Sequence, residues 1–522
     1  MALSSIRLSA IAAKPLPVLF LMFVCAFLAS GCGNNRPRYD AVYPTAQQTA
    51  LTGLETNDFA SSPENSWFDS RSNPLSTFSV DVDTASYALV RRFLEQGQLP
   101  PKGTVRIEEM VNFFPYAYKQ PSGSDPCAVD AELADCVWNS ENRLLRVGVK
   151  AREVDWSARK PSNLVFLIDV SGSMFGPERL GLVQQSMRML VDNLDRRDTV
   201  SIVVYAGSSG VALSPTRGSD KRAILDAIES LQAGGSTHGS AGIEAAYELA
   251  AKNFIKDGIN RVILCTDGDF NVGITSKADL LELVKEKRES GVFLSVFGYG
   301  MGNYKDDMLV KLADNGNGMY AYIDTALEAK KVLVDQVGSS LITVAKDVKI
   351  QVEFNPARVV SYRLLGYEKR LLQARDFLDD GKDAGEMGAG HTVTALYELV
   401  PAGKPERGGD IPPLRYSRQG GATGNGDWCT VSIRYKEPQG STGKTLSVPV
   451  TDRQYVPKGS PDTRMAAAVA AFGMLLDNSE HKGNLTYDDV SRIASDPAVS
   501  NDDYRREFLG LVSKAKRLAP AR

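Results

Sequence analysis

Two carboxylates and three hydroxyls in this chain stand where they could share one cation. Asp169, Ser171 and Ser173 occupy alternate positions directly after the apolar run Leu164-Val165-Phe166-Leu167-Ile168. Asp267 follows a second apolar run, Val262-Ile263-Leu264-Cys265, by way of Thr266, and Thr237 stands in the loop Gly234-Gly235-Ser236-Thr237-His238-Gly239. An all-oxygen set that needs no His or Cys suits a hard divalent cation, Mg²⁺ first and Mn²⁺ or Ca²⁺ as alternatives, rather than zinc or copper. Two neighbours have weaker claims. His238 either lines the rim of such a site or is a plain loop residue, and Asp269 either supports the metal from behind or is a turn acid. Any one of the main residues alone reads equally well as a helix cap or a turn former. It is their convergence on one sheet edge that argues for a site.

That convergence depends on the elements that carry them. A near-unbroken apolar run is the pattern of a strand buried on both faces of a parallel sheet, and ligands of open α/β sheets bind outside the carboxyl ends of such strands. From 161 to 344 the chain alternates accordingly. The apolar spacing predicts helices over Leu180–Leu194, Lys221–Leu231, Ser240–Phe254, Lys277–Ser290, Lys305–Asn315 and Ala326–Leu341. Strands are predicted over Val200–Tyr205 and Val292–Phe297, with Met319–Ile323 as an edge strand. The expected class is therefore α/β, a doubly wound, mainly parallel sheet. Gly298-Tyr299-Gly300-Met301-Gly302 imitates a dinucleotide fingerprint, but its spacing and late position read as a tight structural turn.

Asp169-x-Ser171-x-Ser173, Thr237 behind its glycine pair, and Thr266-Asp267-Gly268 together resemble the von Willebrand factor type A domain with its metal-ion-dependent adhesion site. The resemblance implies a Rossmann-like fold and a metal site made of Asp169, Ser171, Ser173, Thr237 and Asp267. It also implies that the carboxylates act partly through water, leaving the metal an open position for a carboxylate from outside. On that basis the chain binds a protein or an envelope polymer offering an acidic residue, and is not an enzyme. Turnover would need a positioned base, an acid and a closed pocket, yet of the three histidines, His238, His391 and His481, only the first lies near the cluster. The competing reading is an envelope scaffold with a structural metal. Less favoured are a metal-dependent hydrolase using Asp169 and Asp267, and a partner of a cytoplasmic ring-shaped ATPase.

Composition narrows the setting. The 522 residues are 43% hydrophobic and 24% charged with a net charge of −3, which gives globular character and no basic footprint for nucleic acid. Arg7 and Lys14 precede an apolar run from Leu16 to Leu28, and no acid appears before Asp40, which is a secretory signal pattern. The run is about 13 residues, short of the roughly 20 that span a bilayer. It ends in Leu28-Ala29-Ser30-Gly31-Cys32, which resembles a bacterial lipobox. That resemblance implies loss of residues 1–31, acylation of Cys32, and attachment to a membrane through the lipid. With Gly33 next, it further implies the outer membrane, on its periplasmic or surface face.

The remaining divisions follow from texture. Residues 32–73 read as a flexible lipid-anchored tether with a reach of about 35 Å. Residues 74–160 form an N-terminal segment of strands and helices, which from Thr77 to Tyr118 resembles the segment accompanying the type A domain in a family of bacterial envelope lipoproteins. Residues 345–457 are β-rich and are expected to build one β-sandwich together with 128–150, into which 161–344 is inserted. Residues 458–522 are helical, opening on Ser460-Pro461-Asp462. Cys265 reads as a small core residue, and pairing among Cys127, Cys136 and Cys429 is left open, since an extended stretch separates the first two unless a turn intervenes.

Overall fold

Four strands precede the expected metal domain: β1 (Phe68–Asp69), β2 (Leu75–Ser79), β3 (Cys127–Asp135) and β4 (Arg143–Ala151). The metal domain contributes β5 (Ser162–Asp169), β6 (Thr199–Tyr205), β7 (Ser209–Arg217), β8 (Ile259–Thr266), β9 (Phe293–Tyr299) and β10 (Tyr320–Ile323). After it come β11 (Thr343–Phe354), β12 (Val359–Leu365), β13 (Leu371–Leu372), β14 (Met387–Gly388), β15 (Thr392–Pro401), β16 (Cys429–Lys436) and β17 (Lys444–Val450). The computed structural model describes residues 63–80, 83–154, 159–206, 209–234, 239–268, 277–300, 306–335, 342–382, 384–404, 426–438, 440–495 and 502–520.

The metal-domain sheet runs β10-β9-β8-β5-β6-β7, parallel throughout except for β7, which pairs antiparallel at the edge. Every residue of β5 is buried, which is why its sequence is apolar without alternation. From β5 the chain moves outward to β6 and β7, then crosses to β8 and moves outward the other way. Strand order therefore reverses at β5 and β8, and the crevice lies beyond their carboxyl ends.

Helices cover both faces. Leu180–Asp192 and Lys221–Glu229 bury Val183, Met187, Leu190, Ile224 and Ile228 against Phe166 and Ile168. On the other face Ile243, Tyr247, Leu280, Leu309 and Leu312 pack over Val165, Leu167 and Leu264. Of the helix expected over Ala326–Leu341, Ala326–Lys330 is α-helical and Lys331–Asp335 is a wider π-type turn; 336–341 lies outside the described residues.

The flanks interleave into a sandwich of two antiparallel sheets. One is β1-β12-β15-β4-β3 and the other is β13-β2-β11-β16-β17, with β14 on β11. Strand β4 from before the metal domain runs against β15 from after it, Arg143 opposite Leu399 and Lys150 opposite Thr392. Likewise β2 lies along β11, with Phe78 opposite Ile350. Val147, Val149, Ile350, Val352, Val431 and Ile433 fill the space between the sheets. The outer face of the first sheet is also covered: Leu144, Leu365 and Leu396 lie beneath Ile107–Asn112, Pro461–Leu476 and Asp503–Leu518. Burial on both faces explains the consecutive apolar pair Leu144-Leu145. The Pro461–Leu476 helix is capped as its sequence suggests, Ser460 Oγ accepting from the Thr463 amide.

The expected tether ends earlier than residue 73. Phe68–Asp69 pairs with β12, Asn65 Nδ2 donates to the carbonyls of Leu364 and Gly366, and the Ser70 amide donates to Val360 O. Backbone pairing and single polar anchors hold this stretch, so it carries no apolar period to read. Residues 32–62 lie outside the described residues, as do residues 1–31, the expected signal segment.

Helix Ala85–Glu95 is the joint of the molecule. Ala88 and Leu89 face the metal-domain core, while Tyr87, Val90 and Leu94 face the C-terminal helices. Arg91, fully buried between them, donates to Asp324, to Glu328 (3.1 Å) and to Glu507 (2.9 Å), tying three parts of the chain through one guanidinium. Cys127, Cys136, Cys265 and Cys429 are all buried free thiols. Cys127 begins β3 and Cys136 follows its end, and the two lie in different cores. No described helix is long and apolar enough to cross a membrane.

Candidate metal centre

At the carboxyl end of β5 the strand gives way to a turn of 3₁₀ helix, Gly172–Met174, and Ser171 sits between them in extended conformation. This places the Ser171 amide on Asp169 Oδ1 at 2.9 Å, and the Ser171 and Ser173 hydroxyls 2.9 Å from each other. Thr266, the last residue of β8, turns its hydroxyl to the other carboxylate oxygen, Asp169 Oδ2, at 3.3 Å. Gly268 follows Asp267 with φ of 88°, a conformation that favours glycine, and its amide returns to Thr266 Oγ1 at 3.2 Å. The turn thus holds Asp267 beside Asp169. At β6, Tyr205 stands opposite Asp169 in register, and its carbonyl accepts the Val170 amide.

Asp169 is 0% exposed and Asp267 5%. Burial pushes the Asp169 carboxyl up to about 6; Asp267's charge adds to this, while hydrogen bonds from Ser171 and Tyr205 oppose it. Among the described residues no Lys, Arg or His pairs with Asp169. Asp267 has Arg179 at 3.9 Å, and the same side chain donates to Ser173 O at 2.6 Å. Ser173 is half-buried, so the group grades from a sealed carboxylate toward solvent.

Of the five residues expected to ligate, four are brought together: Asp169, Ser171, Ser173 and Asp267. Thr237, His238 and Asp269 lie outside the described residues. The Gly234 amide, three residues before Thr237 in the sequence, donates to Val170 O at 2.7 Å, at the end of β5. No cluster of three or more His, Cys, Asp or Glu suited to a metal occurs among the described residues. The donors here are fewer acids completed by hydroxyls, and two buried carboxylates with that company fit a hard divalent cation.

Sequence reasoning missed Arg179 and Tyr205, and gave Thr266 only as part of the motif Thr266-Asp267-Gly268. Nothing in the sequence marks Arg179, which finds its place because Gly300, with φ of 68°, lies against it. A Cβ there would fall 2.5 Å from Arg179 Nε. Thr266 and Tyr205 were legible as strand ends, and only the assembled sheet shows them bracing Asp169.

The fold and this site define a von Willebrand factor type A domain protein. The family model described as von Willebrand factor type A domain matches residues 163–336, one described as von Willebrand factor matches 54–146, and one described as the C-terminal part of the uncharacterized protein YfbK matches 339–518. The uncharacterized protein YfbK of Escherichia coli (strain K12) is 47% identical over 454 residues, covering 85% of this chain and 78% of that protein. The chain belongs to the YfbK family.

More distant likenesses are confined to the fold or to part of the chain. The inter-alpha-trypsin inhibitor heavy chain H2 of Sus scrofa is 30% identical over 195 residues, 35% of this chain and 20% of that one. A solved von Willebrand factor type A protein from Catenulispora acidiphila is 15% identical, covers 77% of this chain and 98% of its own, and gives a TM-score of 0.39.

Proposed function

We propose that this chain is a lipid-anchored protein of the cell envelope that uses a divalent metal, Mg²⁺ in the first instance, to bind a protein or envelope polymer through an acidic group. One observation carries the reading. Asp169 is sealed from solvent without a cationic partner among the described residues, and it lies next to two hydroxyls and a second buried acid at the switch point of the sheet. A buried carboxylate with no counter-charge is unfavourable, and a cation held between Asp169 and Asp267 removes that cost.

A divalent ion bound there would supply a Lewis-acidic position for an incoming carboxylate. The chain's own residues do the rest. Ser171 and Thr266 fix the two oxygens of Asp169, and Ser173 leads from the interior to the surface. Phe175, 79% exposed two residues beyond Ser173, offers an apolar contact at the rim, of the kind that anchors protein interfaces. On this reading the site binds its ligand without turning it over, since a hydroxyl-rich cation site with an open position suits capture of a carboxylate.

The test is retention of envelope components on immobilised protein in Mg²⁺. Release by chelator, and no retention by Ser171→Ala or Asp267→Ala variants that fold normally, supports the reading. Retention indifferent to chelator and to both substitutions contradicts it. For the anchor, incorporation of labelled palmitate that disappears in Cys32→Ser is expected, and incorporation that persists refutes Cys32 as the attachment point.

A further inference from the structure

At the opposite end of the metal-domain sheet from Asp169, a cavity of about 490 Å³ opens between the starts of β8 and β10 and the sandwich. Clefts of this size at the junction of two structural units are where small ligands bind. Arg261 of β8 lines it and is 8% exposed. One nitrogen of its guanidinium donates to Ser295 Oγ at 2.6 Å, but Nε has no acceptor, and no carboxylate pairs with it among the described residues. Glu386, the acid whose charge it feels, has an oxygen accepting from Thr343 Oγ1 at 2.9 Å. Burial accordingly draws the Arg261 guanidinium down to about 10.

The other arginines nearby are compensated. Arg370, in the same wall, meets Asp83 at 3.2 Å and Asp314 at 3.6 Å. Arg159, at the same end of the sheet and equally buried, is held by Asp198 at 2.6 Å. Two more cations, Lys369 and Lys382, line the cavity from exposed positions. Among the described residues, then, the cavity carries an interior positive charge with no carboxylate paired to it, opposed only by the more distant charge of Glu386.

We propose that this cavity is a binding site for a small polar molecule bearing an oxyanion, a carboxylate or a phosphate, with Arg261 as its anchor and Lys369 and Lys382 as flanking cations. A guanidinium offers a planar fork of donors that either oxyanion matches, and Ser295 engages only one nitrogen of it. The site is separate from Asp169 and does not depend on the metal.

Thermal unfolding of the full chain, freed of metal by dialysis, tests it against inorganic phosphate in one arm and succinate in the other, with chloride balancing ionic strength. The midpoint is expected to rise saturably with at least one of the two, and which one responds tells phosphate from carboxylate. Arg261→Met should unfold at a higher temperature than the parent without anion, because an uncompensated buried charge is gone, and should lose the response. The double variant Lys369→Gln, Lys382→Gln leaves the interior intact and should weaken the apparent affinity about tenfold. Absence of any saturable shift overturns the proposal. So does a response that survives unchanged in either variant. If Arg261→Met fails to fold, the lysine variant decides alone.

Discussion

The two ends of the metal-domain sheet hold opposite unbalanced charges. Among the described residues, Asp169 at the carboxyl end is sealed in with no cation paired to it, and Arg261 at the amino end is sealed in with no carboxylate paired to it, only the more distant charge of Glu386 reaching it. The joint between the domains is different, for there Arg91 is equally buried but satisfied by Asp324, Glu328 and Glu507. Desolvating a charge is expensive whether or not it is paired, so the difference separates two uses of a buried ion. Paired charges fix how the parts of the chain dock; the unpaired ones, on the two proposals above, mark places completed from outside.

The comparison can be broken most forcefully at the joint. Arg91→Ala strands Asp324 and Glu328 in the interior, and is expected to destabilise the chain by about 3–5 kcal/mol, read by urea unfolding. A change under about 1 kcal/mol would mean that the joint is held by its apolar faces alone.

His391 sharpens it with a neutral example. Burial first, and then the charge of Lys150, hold its imidazole down to about 4, below the ordinary 6.5. The unfolded chain therefore binds the extra proton between those values. This contribution is full above about pH 6.5 and is lost as pH falls toward 4, by at most about 3 kcal/mol and by less where the half-buried ring meets water. His391→Gln should show a flatter fall in stability over that range, and an unchanged slope would place the histidine in water. The smallest effect is expected where no ion is involved. Ser460→Ala removes the cap of the Pro461–Leu476 helix, at about 1 kcal/mol by the same unfolding measurement.

How much of this was legible in the sequence depends on what signals an element. Asp169, Ser171, Ser173 and Asp267 could be read because apolar runs buried on both faces announce where strands end, and the fold puts those ends together. The interleaving of β4 with β15 was foreseeable from two sets of alternating segments flanking an inserted domain. Strand β7 was not, since Ser209–Arg217 is largely exposed and pairs only through its backbone at the sheet edge. Strand β12 was hidden for the opposite reason: all of Val359–Leu365 is buried, but Ser361 and Arg363 interrupt its apolar pattern. Buried arginines are the least legible feature. Arg91, Arg261 and Arg363 sit at positions where sequence alone suggests solvent, and only their partners, or the want of one, reveal what each does.

The claim that Asp169 and its neighbours form a cation site is tested most directly by calorimetric titration of Mg²⁺, Mn²⁺ and Ca²⁺ into metal-stripped protein, beside Ser171→Ala and Asp267→Ala variants of normal fold. Saturable binding of at least one ion by the parent, lost in both variants, is the predicted result. No binding by the parent, or binding that survives in both variants, would contradict it and leave the cluster as the capped end of two strands.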